Sequence, residues 1–206
     1  MQSKGYELDL QRALSDLAEV RDRLGHVQRF EGYSGPAAFA SGVAALIAGY
    51  VQFTVAPLPS TPQALHAYVT IWMSCLAVAL TLNYGAVAIW MVKHRGPGAQ
   101  SQFRTAARSI APSVALGGAL TVALLDHQAY VLLPGMWFAV YALGLFASRG
   151  AIPATTMSVT VAFSVLALIF LVTRFSSYSL AWWVMPLGFG IGQIAIGTLI
   201  WKQRPA

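Results

Sequence analysis

Two amide side chains lie within long apolar stretches, where a polar group could take part in binding. Asn83 and Gln193 each precede the end of such a stretch by a similar number of residues, so we expect them at a similar depth in a membrane. We interpret both as donors of interhelical hydrogen bonds, which are worth about 0.6 kcal/mol on average between membrane helices. The alternative is a cavity lined by ligand or water, with the two amides as its binding residues.

A second polar group consists of His66, Asp126 and His127, which fall in or beside short connections between apolar stretches. One carboxylate and two imidazoles can bind a divalent metal ion or respond to pH. Such residues also gather on short loops by chance. We therefore predict no metal site and retain the three residues as an external polar cluster.

Acid–base and redox chemistry has no support within the apolar stretches. With the boundaries given below, they contain no Asp, Glu, Lys or Arg, and no pair of histidines is placed to ligate a haem. Proton pumps, voltage sensors and intramembrane hydrolases need charged or titratable groups at membrane depth. The sequence therefore predicts no catalytic residue and no cofactor.

The composition indicates a membrane protein. Charged residues make up 10% of the 206 and hydrophobic residues 57%, with a mean hydropathy of +0.61. A soluble domain has about a quarter of its residues charged, so most of this surface must face the lipid bilayer instead of water. The formal net charge is +6, but the basic residues lie between apolar stretches, which argues against nucleic acid as a partner.

Six apolar stretches are long enough to span a membrane, because about 20 helical residues cross a hydrocarbon core of about 30 Å. The predicted spans are 37–55, 65–92, 107–125, 130–147, 152–172 and 180–201. The predicted domains are a cytoplasmic segment 1–35, a transmembrane domain 36–201 and a cytoplasmic tail 202–206. The predicted fold is therefore an all-α membrane protein, a six-transmembrane-helix bundle preceded by an amphipathic cytoplasmic helix.

The basic residues predict the orientation of these spans. Of the 13 Lys and Arg residues, all but Arg174 fall on one side of the predicted bundle. Because Lys and Arg accumulate on the cytoplasmic side, we expect the N-terminus and the C-terminus both to be cytoplasmic. The expected location is the bacterial cytoplasmic (inner) membrane.

An apolar seam marks the segment before the first span. Its residues recur at steps of three and four, which is the spacing of one helical face. They include Leu10, Leu17, Val20, Leu24 and Val27. Three interpretations remain open: the helix packs on its own bundle, it contacts another copy or a partner protein, or it lies flat on the bilayer. Membrane-surface helices usually have a basic polar face, whereas this segment has slightly more acidic than basic residues, which disfavours the third.

Two segments carry a resemblance to a known family. One is 132–137, with the sequence LLPGMW, and the other is 187–190, with the sequence LGFG. Together with the charged helix before the first span, they resemble an uncharacterised family of small six-span bacterial membrane proteins. The resemblance implies a six-span fold and a sensory or stress-linked role, since genes of that family often lie near winged-helix regulators. It supplies no catalytic residue.

The sequence favours a non-enzymatic inner-membrane protein that acts through helix–helix contacts, as a regulatory or sensory partner. The implied partners are the bilayer and a second copy of the chain or another membrane protein. The alternative is a small oligomeric transporter or channel for a neutral or lipophilic solute. A continuous polar cavity that reaches Asn83 and Gln193 would favour transport.

Overall fold

The computed structural model describes residues 33–93, 97–150, 152, 154–172 and 178–202. These residues are almost entirely helical, and no strand occurs among them. The predicted N-terminal helix and its apolar seam lie outside the described residues, as does the end of the predicted tail.

Six α-helices follow one another in the described part of the chain. They are α1 (Gly35–Val55), α2 (Pro62–Lys93), α3 (Pro97–Asp126), α4 (Leu133–Ala147), α5 (Met157–Val172) and α6 (Ile191–Lys202). Short 3-10 turns at Tyr130–Leu132 and Ala154–Thr156 precede α4 and α5, and a π-helical segment at Pro186–Gly190 leads into α6.

Among the residues that the structure describes, four helical segments are long and apolar enough to cross a membrane. They are Gly35–Val55, Pro62–Lys93, Tyr130–Ala147 and Ala154–Val172. In α3 the apolar part is the shorter stretch Ile110–Asp126, because the first turns of that helix carry Arg104 and Arg108. The described chain is thus an all-helical protein with the long apolar helices of a membrane protein.

The third helix begins earlier than its predicted span. The sequence predicts a connection up to Arg108, yet α3 starts at Pro97, and a proline suits the first turn of a helix. The polar residues 97–108 prolong the helix because Ala, Gln and Arg favour helical structure. The predicted break before the fourth span is present, since α3 ends at Asp126 and Gln128 adopts a left-handed conformation with a φ of 55°.

Small residues let α1 and α6 approach closely. The buried face of α1 repeats at alternating steps of three and four, with Gly35, Ala38, Gly42, Ala45, Gly49 and Gln52. A Cβ atom on Gly42 would lie 2.7 Å from the carbonyl oxygen of Gly190, and one on Gly197 would lie 2.6 Å from the backbone nitrogen of Phe39. The two backbones are in direct contact, which gives membrane helices the dispersion energy that holds them together.

Aromatic rings join two groups of helices. α1 also packs against α2, while α4 packs against α3 and α5. Within the second group, the ring of Phe138 in α4 lies 5.8 Å from that of Phe163 in α5, measured between centroids. It also lies 5.2 Å from the ring of Phe189 in the π-helical segment, which contacts α1 as well. Gly188 makes room for the Phe138 ring, which a Cβ atom at position 188 would meet. The centre of the bundle is therefore built from aromatic rings packed against glycine.

The π-helical segment Pro186–Gly190 lies where the last helix contacts both groups. Pro186 has no backbone N–H to donate, so the regular α-helical pattern cannot continue through it. Its ring packs against Gly49 of α1, where any side chain would clash. Within the segment Gly188 faces α4 and Gly190 faces α1. The wider turn thus presents a glycine to each neighbour.

Candidate functional site

Asn83 connects α2 to α1. Its Nδ2 atom donates to Ser41 Oγ at 2.8 Å and to the carbonyl oxygen of Ala79, one turn earlier in its own helix, at 2.8 Å. Ser41 is buried and donates in turn to the carbonyl oxygen of Ala37 at 2.9 Å. Both N–H donors of the Asn83 amide are therefore used within the bundle.

Gln193 connects the last helix to α4. Its Nε2 atom donates to the hydroxyl of Tyr141 at 2.6 Å. The ring of Tyr141 lies 4.7 Å from that of Phe163 and 5.3 Å from that of Phe189, so this hydrogen bond forms beside the aromatic core. Asn83 and Gln193 bond to different helices, and no hydrogen bond joins them within the described part of the chain.

Gln52 is a buried amide that the sequence analysis missed. Its Nε2 atom donates to the carbonyl oxygen of Leu180 at 2.7 Å, and its Oε1 atom accepts from the indole N–H of Trp72 at 2.8 Å. The side chain is 0% exposed. Gln52 therefore ties together α1, α2 and the segment before the π-helix. Its burial could have been predicted from the sequence, because Gln52 continues the series of small residues that starts at Gly35 and recurs at steps of three and four.

A further polar contact links α3 to α4. The indole N–H of Trp137 donates to Thr121 Oγ1 at 2.9 Å, and Thr121 donates to the carbonyl oxygen of Gly117 at 2.7 Å. The ring of Trp137 also stacks on that of Tyr68 in α2, with centroids 6.4 Å apart. Tyr68 is completely buried, and its hydroxyl has no hydrogen-bond partner among the described residues.

The external polar cluster is exposed. His66 lies in the second turn of α2, while Asp126 ends α3 and His127 follows it in the turn. All three side chains face outward, and no group of three or more metal-ligating side chains occurs within the described ranges. The structure therefore does not assemble these residues into a metal site.

A cavity of about 420 Å³ lies at the end of the bundle where α4 stops, which we call the Arg149 end. Its lining residues are Leu145, Arg149, Ile152, Ala154, Thr156, Met157 and Thr160. Nearby, burial raises the pKa of the Tyr33 hydroxyl above its usual range. Neither Asn83 nor Gln193 lines this cavity.

In the comparisons with known proteins, no family model, no curated protein and no solved structure matches this chain. The resemblance to small six-span bacterial membrane proteins stays a prediction.

Proposed function

We propose that this chain is a non-enzymatic bacterial inner-membrane protein that acts through contacts of its helices with a second copy or another membrane protein. We further propose that it has six transmembrane helices and that both termini are cytoplasmic. Four long apolar helices support this arrangement, together with the apolar part of α3 and the continuous helical backbone from Pro186–Gly190 into α6.

The main support for the proposal is that the amide side chains form their hydrogen bonds inside the bundle. The amides of Gln52, Asn83 and Gln193 are each bonded to another helix or to a neighbouring segment. A continuous polar cavity that reaches Asn83 and Gln193 would favour the alternative, a small oligomeric transporter or channel for a neutral or lipophilic solute. Because these two amides bond within the bundle and neither lines the cavity at the Arg149 end, we favour a role through the outer surfaces of the helices.

The outer surfaces of α2 and α3 are the best candidates for these contacts. The main neighbour of α2 is α1 and that of α3 is α4, so each helix presents a broad face outward. On these faces Gly85 and Gly118 have open space around them, because an added Cβ atom would meet no heavy atom of the described residues within 4 Å. Small residues on an open helix face allow another helix to approach closely.

Bulky substitutions at the two open glycines test the proposal. Gly85→Leu and Gly118→Leu should leave the bundle folded, but they should reduce a larger assembly to the 22.0 kDa chain. The measurement is protein mass by light scattering after extraction in a mild detergent, with the thermal midpoint as a check on folding. Leu168→Ala, on the exposed side of α5, is the matched control. A single-chain mass for the unmodified protein, confirmed by crosslinking in intact membranes, would contradict the proposal.

A further inference from the structure

The cavity at the Arg149 end combines an apolar wall with one cation. Leu145, Ile152 and Met157 supply aliphatic and thioether surface, and the guanidinium of Arg149 lies at the exposed side. The hydroxyl of Thr160 donates to the carbonyl oxygen of Thr156 at 3.2 Å, so it serves the helix. The volume of about 420 Å³ falls within the roughly 300–1,000 Å³ that is usual for ligand sites.

The guanidinium of Arg149 is held in position but is not neutralised within the described residues. Its Nη1 atom donates to the carbonyl oxygen of Phe146 at 3.3 Å, and its Cζ atom lies 4.5 Å from the centroid of the Phe146 ring. A guanidinium has five N–H donors, so most of them remain available to a ligand. In the described part of the chain the one carboxylate is that of Asp126, which lies at the opposite end of α4.

We propose that this cavity binds an anionic phospholipid, with the headgroup phosphate on Arg149 and part of an acyl chain against Leu145, Ile152 and Met157. A guanidinium binds phosphate through two parallel N–H···O bonds, which makes arginine well suited to this group. Arg149 lies two residues after the end of the apolar helix α4, which places it at the depth of the lipid headgroups if α4 crosses the bilayer. Basic pockets between membrane helices are known to take such headgroups.

A soluble phosphate ester shares the same headgroup chemistry, but the apolar wall favours the lipid. A free anion would leave the cavity surface of Leu145, Ile152 and Met157 uncovered, whereas an acyl chain would cover it. The proposal holds whichever membrane face the Arg149 end occupies. It requires only that α4 and α5 cross the bilayer.

Lipid titration of the full chain tests the site. The protein is delipidated in detergent and titrated with phosphatidylglycerol or phosphatidylcholine, and bound lipid is counted by native mass spectrometry. We expect tighter binding of phosphatidylglycerol, and Arg149→Gln should weaken that binding by at least about tenfold, as expected when a charged hydrogen bond is lost. Arg104→Gln removes the same charge from the exposed surface of α3 and should change the affinity little.

A second variant separates the two sources of phosphate. Ala154→Trp fills the cavity without changing its charge, so it should weaken phosphatidylglycerol binding several-fold. Inorganic phosphate should not displace the lipid at equal concentration. Displacement at equal concentration, or unchanged lipid affinity in Ala154→Trp, would assign the site to a soluble anion and overturn the proposal.

The charge itself has two further controls. If Arg104→Gln weakens binding as much as Arg149→Gln, the attraction is a general surface effect and the proposed site is wrong. If Arg149→Gln does not fold, Arg149→Lys keeps the charge but loses the two-pronged geometry. It should bind phosphatidylglycerol several-fold less tightly, and wild-type affinity in that variant would contradict the role of the guanidinium.

Discussion

At the scale of single residues, Gln52 joins α1 to α2 and to the segment before the π-helix. It is fully buried and bonded to both Trp72 and the carbonyl oxygen of Leu180. Replacing it with leucine would leave two buried polar groups without partners. We expect Gln52→Leu to lower the free energy of unfolding by about 2 kcal/mol, near the upper end of measured interhelical hydrogen bonds plus the cost of an unpaired buried group.

A double-mutant cycle measures the contribution of one of these bonds. Trp72→Phe keeps most of the ring but removes the indole N–H that donates to Gln52. The coupling energy between Gln52→Leu and Trp72→Phe should lie between about 0.6 and 1.7 kcal/mol in reversible unfolding experiments. Thr54→Val, on the exposed side of α1, is a control that should not couple to Trp72→Phe. A coupling energy of zero would show that the hydrogen bond adds nothing to stability.

The sequence identified some polar residues of this bundle but not their partners. Asn83 and Gln193 stood out because amides are rare within apolar stretches. Ser41 and Tyr141, which bond to them, could not be identified, because the choice of partner depends on the rotation of each helix about its axis. That rotation is fixed by tertiary packing, which a single sequence does not display.

At the scale of helices, the close pair of α1 and α6 sets the geometry of one half of the bundle. Gly42→Ala would place a Cβ atom 2.7 Å from the carbonyl oxygen of Gly190 and 2.8 Å from the backbone nitrogen of Ile194. Backbone atoms cannot rotate away, so the helices would have to separate. We expect a loss of about 2–3 kcal/mol in the free energy of unfolding, as in other overpacked cores.

Gly85→Ala is the matched control for this substitution. It makes the same change in a helix, but the added methyl group meets no heavy atom within 4 Å. Since alanine favours helix over glycine by up to about 1 kcal/mol, stability should stay the same or rise. Equal destabilisation by Gly42→Ala and Gly85→Ala would mean that the close contact between α1 and α6 is not a source of stability.

The heptad of α1 is visible in the sequence. Gly35, Gly42 and Gly49 recur every seven residues, a spacing that predicts one continuous contact face. What the spacing does not give is the identity of the facing helix, because α2 and α6 both follow as apolar segments. The packing of the Phe138 ring against Gly188 could not be predicted either, because it depends on the π-helical turn.

The predicted helix before the first span can be tested separately from the bundle. If its seam contacts a second copy or a partner, joint substitution of Leu17, Val20 and Leu24 by serine should remove the assembly and leave the bundle folded. Light scattering of the detergent-solubilised protein measures the mass, and thermal unfolding reports the fold. Unchanged mass together with an unfolded bundle would show that this segment packs on its own chain.

At the scale of the whole molecule, the proposed topology of six spans with both termini in the cytoplasm predicts which positions a reagent can reach from outside. In a Cys75→Ala background, a membrane-impermeant thiol reagent added from outside should label Gln128→Cys and should not label Arg204→Cys. The reason is that the proposed topology puts the turn after α3 and the end of the chain on opposite sides of the bilayer. Labelling after membrane disruption is the control that both cysteines react. External labelling at position 204 would contradict the predicted orientation.

The π-helical segment Pro186–Gly190 gives the last helix one place where a residue can be lost. A π turn closes on i→i+5 hydrogen bonds and an α turn on i→i+4, so deleting Leu187, whose side chain is exposed, should convert the segment into a regular α-helical turn. Gly197 should then still face α1, because the residues from Ile191 onward keep their register. Deleting a residue between Ile191 and Gly197 should instead rotate everything after it by about 100° and turn Gly197 away from α1. Homologous chains should therefore differ in length by one residue more often between Pro186 and Gly190 than within the first turns of α6.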